Sequence, residues 1–419
     1  MENPKMNYTY VGIDSHKATH TAVFLNCFFE KLGEITFVNM PSRFPAFLND
    51  AKRLASEGTV LLFGLEDTGM YGRTLTDFLM KSGERVKHVN TLLVARERRN
   101  QTITQKTDSV DAECAARVLL SKLDVLPDAM GGSKYWLLRS LVTRRNFIVK
   151  NNASLKNHLH SILTQHYPNY RDLFPCIDSN ASLAFFMRFP SPSTLEGTAA
   201  EKLAAFLMKA SDGHVGVGKH WTVRAREIME SLENTTVPFQ EIRDEAVRST
   251  IRQIMTNLNE IDKTEKTMAE FLRQFDCTLT SMSGIDTVCA AQMLSCIGGI
   301  ERFSSPAKLA RYSGVAPVTY ASGQKNLHFS NQRGNRELNS IFHQLAVRLV
   351  AAPQGKMNNA FFYEYYRRKL SNGKTKRQAL KCVERRLVNI VWTMLTYDEE
   401  YVNPPLLDAP EKKKDSASA

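Results

Sequence analysis

The opening 90 residues alternate apolar runs of strand length with a segment of helical period, and nothing else in the chain narrows the choice of fold as much. Residues 8–13 form a short apolar run that stops at Asp14. Residues 21–29 form a second run after a polar turn, and 60–65 form a third that stops at Glu66. Residues 70–81 then carry Tyr71, Leu75, Phe78 and Leu79 at helical spacing, and Gly83 separates them from a further short run at 85–90. Strands interleaved with helices predict an α/β layer built on a shared sheet. Another helix is expected from Thr107 onward, because Ala112, Ala115, Ala116, Leu119 and Leu120 recur at three and four.

Past Pro127 and the Gly131 and Gly132 break the texture becomes helical. Leu138, Leu141, Val142, Ile148, Leu155, Leu159 and Ile162 predict one long amphipathic helix over 135–167 with a basic polar face. FPSPS at 189–193 interrupts the pattern, which resumes over about 222–275. This middle region is either a coiled-coil or bundle arm or a compact helical subdomain. From 278, Gly- and Ser-rich turns separate short helices, and Leu380, Val383, Leu387, Ile390 and Met394 mark a last helix. The expected division is therefore an α/β domain at 1–128, a helical middle at 129–277, a mainly helical C-terminal domain at 278–400 and a disordered tail at 401–419.

An excess of 55 Lys and Arg over 43 Asp and Glu, a net charge of +12, suits a polyanionic partner. The seven cysteines are scattered without a C-x-x-C pair, which argues against a zinc or disulfide framework and for a cytosolic protein with reduced thiols. No apolar run is long enough to span a membrane, and the N-terminus has no signal-like pattern, so no membrane association is expected.

Four acids carry the chemistry. Asp14 and Glu66 end two strands, and Asp108 and Asp111 in KTDSVDAE lie at i and i+3 on one helix face. In an open α/β sheet the carboxyl ends of neighbouring strands meet at one edge. Carboxylates gathered there repel one another unless cations neutralise them, and an all-oxygen set favours Mg²⁺, with Mn²⁺ as the alternative. Two such ions can clamp the attacking and leaving oxygens of a phosphodiester. Taken singly, each acid has a plainer role: Asp108 as a helix N-cap, Glu66 as a solvated strand end, Asp14 as a turn residue.

GIDSHKATHTAVF, GLEDTG and KTDSVDAECAARVL resemble the RuvC-like domain of the IS110/IS1111-type (DEDD) transposases. Residues 282–346, with RFSSPAKLARYSGVAP, a Ser-Gly pair and RGNREL, are similar to the C-terminal transposase domain of that family. The two blocks cover about half the chain. The resemblance implies a RuvC/RNase H-like fold at 1–128, a coiled-coil-like middle and a C-terminal domain with a helix-hairpin-helix-like element. It implies a recombinase that moves an insertion sequence, with Asp14, Glu66, Asp108 and Asp111 as metal-binding catalytic acids. Ser322 falls on the family's catalytic serine, implying a covalent 5′-phosphoserine link to DNA. The resemblance also implies donor and target DNA as substrates, a non-coding bridge RNA, a dimer or tetramer with active sites completed between protomers, and a place at the bacterial or archaeal nucleoid.

The residues of the second block support a polyanion site on their own terms. Residues 282–298 read as helix, tight glycine turn, helix, a form that offers backbone N–H groups to phosphate oxygens. Lys325, His328, Arg333 and Arg336 lie close to Ser322 in sequence, and a hydroxyl needs such neighbours to become a nucleophile. Ser313 and Ser330 are rival hydroxyls. Arg144, Arg145 and Lys156 on the long helix are candidate nucleic-acid contacts, or else parts of a solvated face. Two other functions share some of these features. A Holliday-junction nuclease would use the acids with a metal-activated water but leaves 282–346 unexplained. An actin-like ATPase or kinase would need a second phosphate loop, which is not found.

Overall fold

The structure is a computed structural model. It describes residues 4–66, 71–101, 105–124, 126–129, 133–167, 169–174, 176–211, 221–230, 238–275, 277–322, 325–329, 331, 334–353 and 356–403. The chain divides into two compact units, one of Met1–Trp136 with Ile297–Tyr312 and one of Leu137–Cys296 with Ser313–Ala419.

The first unit is a five-stranded mixed sheet flanked by helices. Strands β1 (Tyr8–Ser15), β2 (Thr19–Leu25) and β3 (Lys31–Val38) form an antiparallel meander, followed by helix α1 (Phe44–Leu54). Strand β4 (Val60–Glu66), helix α2 (Arg73–Lys81), strand β5 (Arg85–His88) and helices α3 (Thr91–Asn100) and α4 (Asp108–Ser121) complete it. The strand order is β3-β2-β1-β4-β5, with β4 parallel to both β1 and β5. Successive residues of a strand face opposite sides, so β1 builds two cores at once. Tyr10 joins Val23, Leu62 and the Ala112, Ala115, Ala116 and Leu119 face of α4, whereas Val11 and Ile13 join Phe24, Phe63 and the apolar faces of α1 and α2. A central strand buried on both faces must be apolar throughout, and that is why the run at 8–13 is legible.

Residues 133–136 begin helix α5 (Ser133–His166), which continues through the second unit. Helices α6 (Tyr170–Leu173), α7 (Asn180–Arg188), α8 (Ala200–Ala210), α9 (Trp221–Glu230) and α10 (Gln240–Leu272) follow. Arg145 Nη2 pairs with Glu265 at 2.8 Å, and Arg243 donates to Gln165 Oε1 at 3.2 Å, so α5 and α10 run antiparallel. At 34 and 33 residues, each helix is about 50 Å long at 1.5 Å per residue. Towards one end they frame a compact core, in which Leu159, Leu163 and Tyr167 meet Phe185, Phe186, Leu203, Leu207, Trp221 and Ile251. The middle thus combines a paired-helix stem with a compact subdomain.

The chain then passes through α11 (Thr287–Ile297), α12 (Pro306–Tyr312), a hairpin of β6 (Val318–Ser322) and β7 (Lys325–Phe329), α13 (Arg336–Val350), α14 (Ala360–Ser371) and α15 (Lys376–Tyr397). Two features differ from the expectation for this region. The segment before Gly284 is a three-residue 3-10 turn, Leu279–Ser281, not the first helix of a hairpin. Residues 318–322 and 325–329 pair as strands because Val, Tyr, Leu and Phe alternate with polar residues. Among the described residues no helix is long and apolar enough to cross a membrane.

Candidate metal centre and its acidic residues

Parallel pairing sets Asp14 directly opposite Glu66, one at the end of β1 and the other at the end of β4. Helix α4 brings the other two acids to the same edge. Its N-cap is Thr107, whose side chain accepts from the backbone N–H of Val110 at 3.3 Å, so Asp108 and Asp111 occupy the first turn. Asp108 is therefore not the cap. Negative charge is favoured there by the helix dipole.

Gly12 is what lets α4 come so close. A Cβ at this position would lie 2.1 Å from the backbone O of Ala112 and 2.2 Å from the N of Ala116. Strand and helix backbones therefore touch two residues before Asp14, with small Ala side chains on the facing helix. From β3, Glu34 accepts from Ser109 Oγ at 2.5 Å and ties down the start of α4.

The charges are unevenly compensated. Arg98, from α3, forms an ion pair with Asp111, which is 8% exposed. His16 Nε2 lies 3.0 Å from Asp14 Oδ2 and 3.1 Å from Asp108 Oδ1. Glu66 has a buried Oε2 with no hydrogen-bond partner among the described residues. Burial and the nearby Asp14 and Asp111 carboxylates push its pKa up to about 7, against the pull of Arg98 and Lys106. Burial also raises Asp14, helped by Asp108 and Asp111 and opposed by His16. Burial of the His16 ring lowers its pKa, but Asp14 and Asp108 together outweigh that and raise it. Crowded carboxylates, two of them raised in pKa by burial and by their acidic neighbours, form an oxygen-rich donor set that fits a hard divalent cation. His16 and Arg98 were not among the sequence candidates. The only mark of His16 is its position two residues after the strand-ending acid.

The remaining candidates lie in the second unit. Ser322 ends β6 and pairs across the hairpin with Lys325, and His328 pairs with Thr319. Arg333 and the rival Ser330 lie outside the described residues, while the rival Ser313 is buried. Arg336 starts α13, whose N-cap Asn335 accepts from the N–H of Leu338 at 3.0 Å. It borders a cleft of about 290 Å³ with Ser313, Gly314, Asn331, Gly334 and Asn339. There a Cβ on Gly334 would sit 2.3 Å from the N of Gly314, so only glycine allows the two backbones to cross. On α5, Arg145 is paired with Glu265, and Lys156 with Asp178 at 2.8 Å, whereas Arg144 is exposed.

A family model described as a transposase of the DEDD, IS110 type matches residues 11–168, which contain all four acids. A second model, for transposases of the IS116/IS110/IS902 family, matches 277–363, and the two together span more than half the chain. The chain belongs to this transposase family. Among relatives of the transposase, the uncharacterized 44.8 kDa protein of insertion element IS116 from Streptomyces clavuligerus is 24% identical over 390 residues, 92% of this chain and 94% of that one. The uncharacterized 42 kDa protein of IS900 from Mycobacterium paratuberculosis is 24% identical over 398 residues, covering 92% and 95%. The mini-circle putative transposase for IS117 from Streptomyces coelicolor is 25% identical over 348 residues, 79% of this chain and 81% of its own length.

Proposed function

We propose that this insertion-element transposase cuts and rejoins DNA with Asp14, Glu66, Asp108 and Asp111 as ligands of Mg²⁺ or Mn²⁺ and Ser322 as the nucleophile. The observation that carries the reading is the register of Asp14 opposite Glu66 beneath the two-acid first turn of α4. The strand order β3-β2-β1-β4-β5 supports the RuvC/RNase H-like assignment of 1–128. A divalent ion in this cluster would neutralise charge on the scissile phosphate. The four acids would hold and orient it, and the buried setting of Asp14 and of the Glu66 Oε2 atom limits the screening of that charge by bulk water.

Ser322 Oγ attacks the phosphorus. The Oγ–P bond forms as the P–O3′ bond breaks, the serine proton passes to a neighbouring base, and the 3′-oxygen leaves as a hydroxyl. A 3′-OH on a second strand then attacks the phosphoserine, forming a new phosphodiester and returning the proton to Oγ. Lys325, His328, Arg333 and Arg336 are proposed as phosphate contacts around the serine. Arg144, Arg145 and Lys156 are proposed as contacts to nucleic acid along α5, the last two sharing their charge with Glu265 and Asp178. By family resemblance, a bridge RNA selects donor and target, and a dimer or tetramer completes each active site.

The test is a strand-transfer assay on matched DNA, with the RNA supplied. Ser322→Ala should abolish the covalent protein–DNA adduct, and Asp108→Asn should abolish cleavage by both routes. Cleavage by the serine variant without an adduct would instead favour a nuclease that uses water.

A further inference from the structure

We infer that His16 is itself a ligand of the divalent ion, adding an imidazole nitrogen to the carboxylate set and moving its preference from Mg²⁺ towards Mn²⁺. The inference rests on the proposed metal-binding role of the acids. One ligand atom each from Asp14, His16 and Asp108 lie within 4.8 Å of one another, close enough to share a single ion. The ring nitrogen is the atom that meets both carboxylates, at 3.0 and 3.1 Å, so it already stands beside the oxygens a cation would use.

The ring is carried on an anchored turn. His16 N–H donates to the backbone O of Thr19 at 3.1 Å. Asn39 Nδ2 donates to the carbonyls of His16, Lys17 and Tyr71 at 3.2–3.4 Å, pinning the β1–β2 connection to the start of α2. A side chain placed only for solubility needs no such clamp. Chemically, oxygen donors alone suit Mg²⁺, whereas an imidazole favours first-row transition ions, so a mixed set discriminates where four carboxylates would not.

The experiment uses the full chain and Mn²⁺ alone, without nucleic acid. Pulsed EPR of the bound ion should reveal coupling to a ¹⁴N nucleus, and that signal should become ¹⁵N coupling when histidine is isotopically labelled. His16→Gln should lose the signal and weaken Mn²⁺ roughly 10-fold or more, with a several-fold smaller effect on Mg²⁺. His16→Asn serves as a second variant should the first fail to fold. Bound Mn²⁺ without nitrogen coupling in the unsubstituted protein, or coupling that persists in both variants, overturns the inference and leaves the carboxylate reading intact. Failure of the unsubstituted protein to bind Mn²⁺, or binding unaffected by Asp14→Asn, overturns the carboxylate reading itself.

Discussion

Glu66 does two opposed things, and a single substitution separates them. Its folded-state pKa of about 7 stands above the ordinary 4.5, so between those values the folded chain holds a proton that the unfolded chain has released. Native stability from this group therefore falls as pH rises through that window, and above it the charge works against folding. In EDTA at pH 8, Glu66→Gln should stabilise the protein by about 1–2 kcal/mol, a figure reduced for partial solvent access. Urea melts should show the gain vanish near pH 4.5, while Mn²⁺ binding is lost at every pH. Gly12 has the opposite profile. Gly12→Ala changes no acid, yet its Cβ meets helix backbone that cannot yield. The unfolding free energy from urea melts should fall by roughly 2–3 kcal/mol and Mn²⁺ affinity should drop with it. The acids were legible because strand ends and an i, i+3 spacing are written in the chain. His16 and Arg98 were not, because their role depends on distances to residues far away in sequence.

At the scale of elements, α4 is set by its cap. Thr107→Ala should cost about 1 kcal/mol and weaken Mn²⁺ by loosening the turn that carries two ligands, while Thr107→Ser keeps both properties. Melting and Mn²⁺ titration read the two effects. On α5, Arg144→Ala should lower the slope of log affinity for DNA or RNA against log salt by about one, without a change in melting. Arg145→Ala and Lys156→Ala should lower it less, since Glu265 and Asp178 already share those charges, and should cost under about 1 kcal/mol. The strands at 8–13 and 60–65 and the long helix were readable from their apolar period. Strand β3 escaped because it is a half-exposed edge with charges at Lys31 and Glu34, and α3 because its second half, Arg96 to Asn100, is almost wholly polar. The β6–β7 hairpin was hidden in a stretch rich in turn residues.

Across the whole molecule, acid cluster and serine hairpin belong to different compact units, so an ion should act locally. In hydrogen exchange on the full chain without nucleic acid, Mn²⁺ should slow the amides of β1, β4 and α4 and leave α13 to α15 unchanged. The boundary between units could not be read from composition. The segment Ile297–Tyr312 groups with the sheet-bearing unit although its flanking residues do not, and nothing in its make-up marks the return. Connectivity of that kind has a cost for anyone dissecting the polypeptide. A fragment ending at Trp136 would carry all four candidate acids yet lack a piece of its own scaffold, so minimal versions must be spliced together, not trimmed.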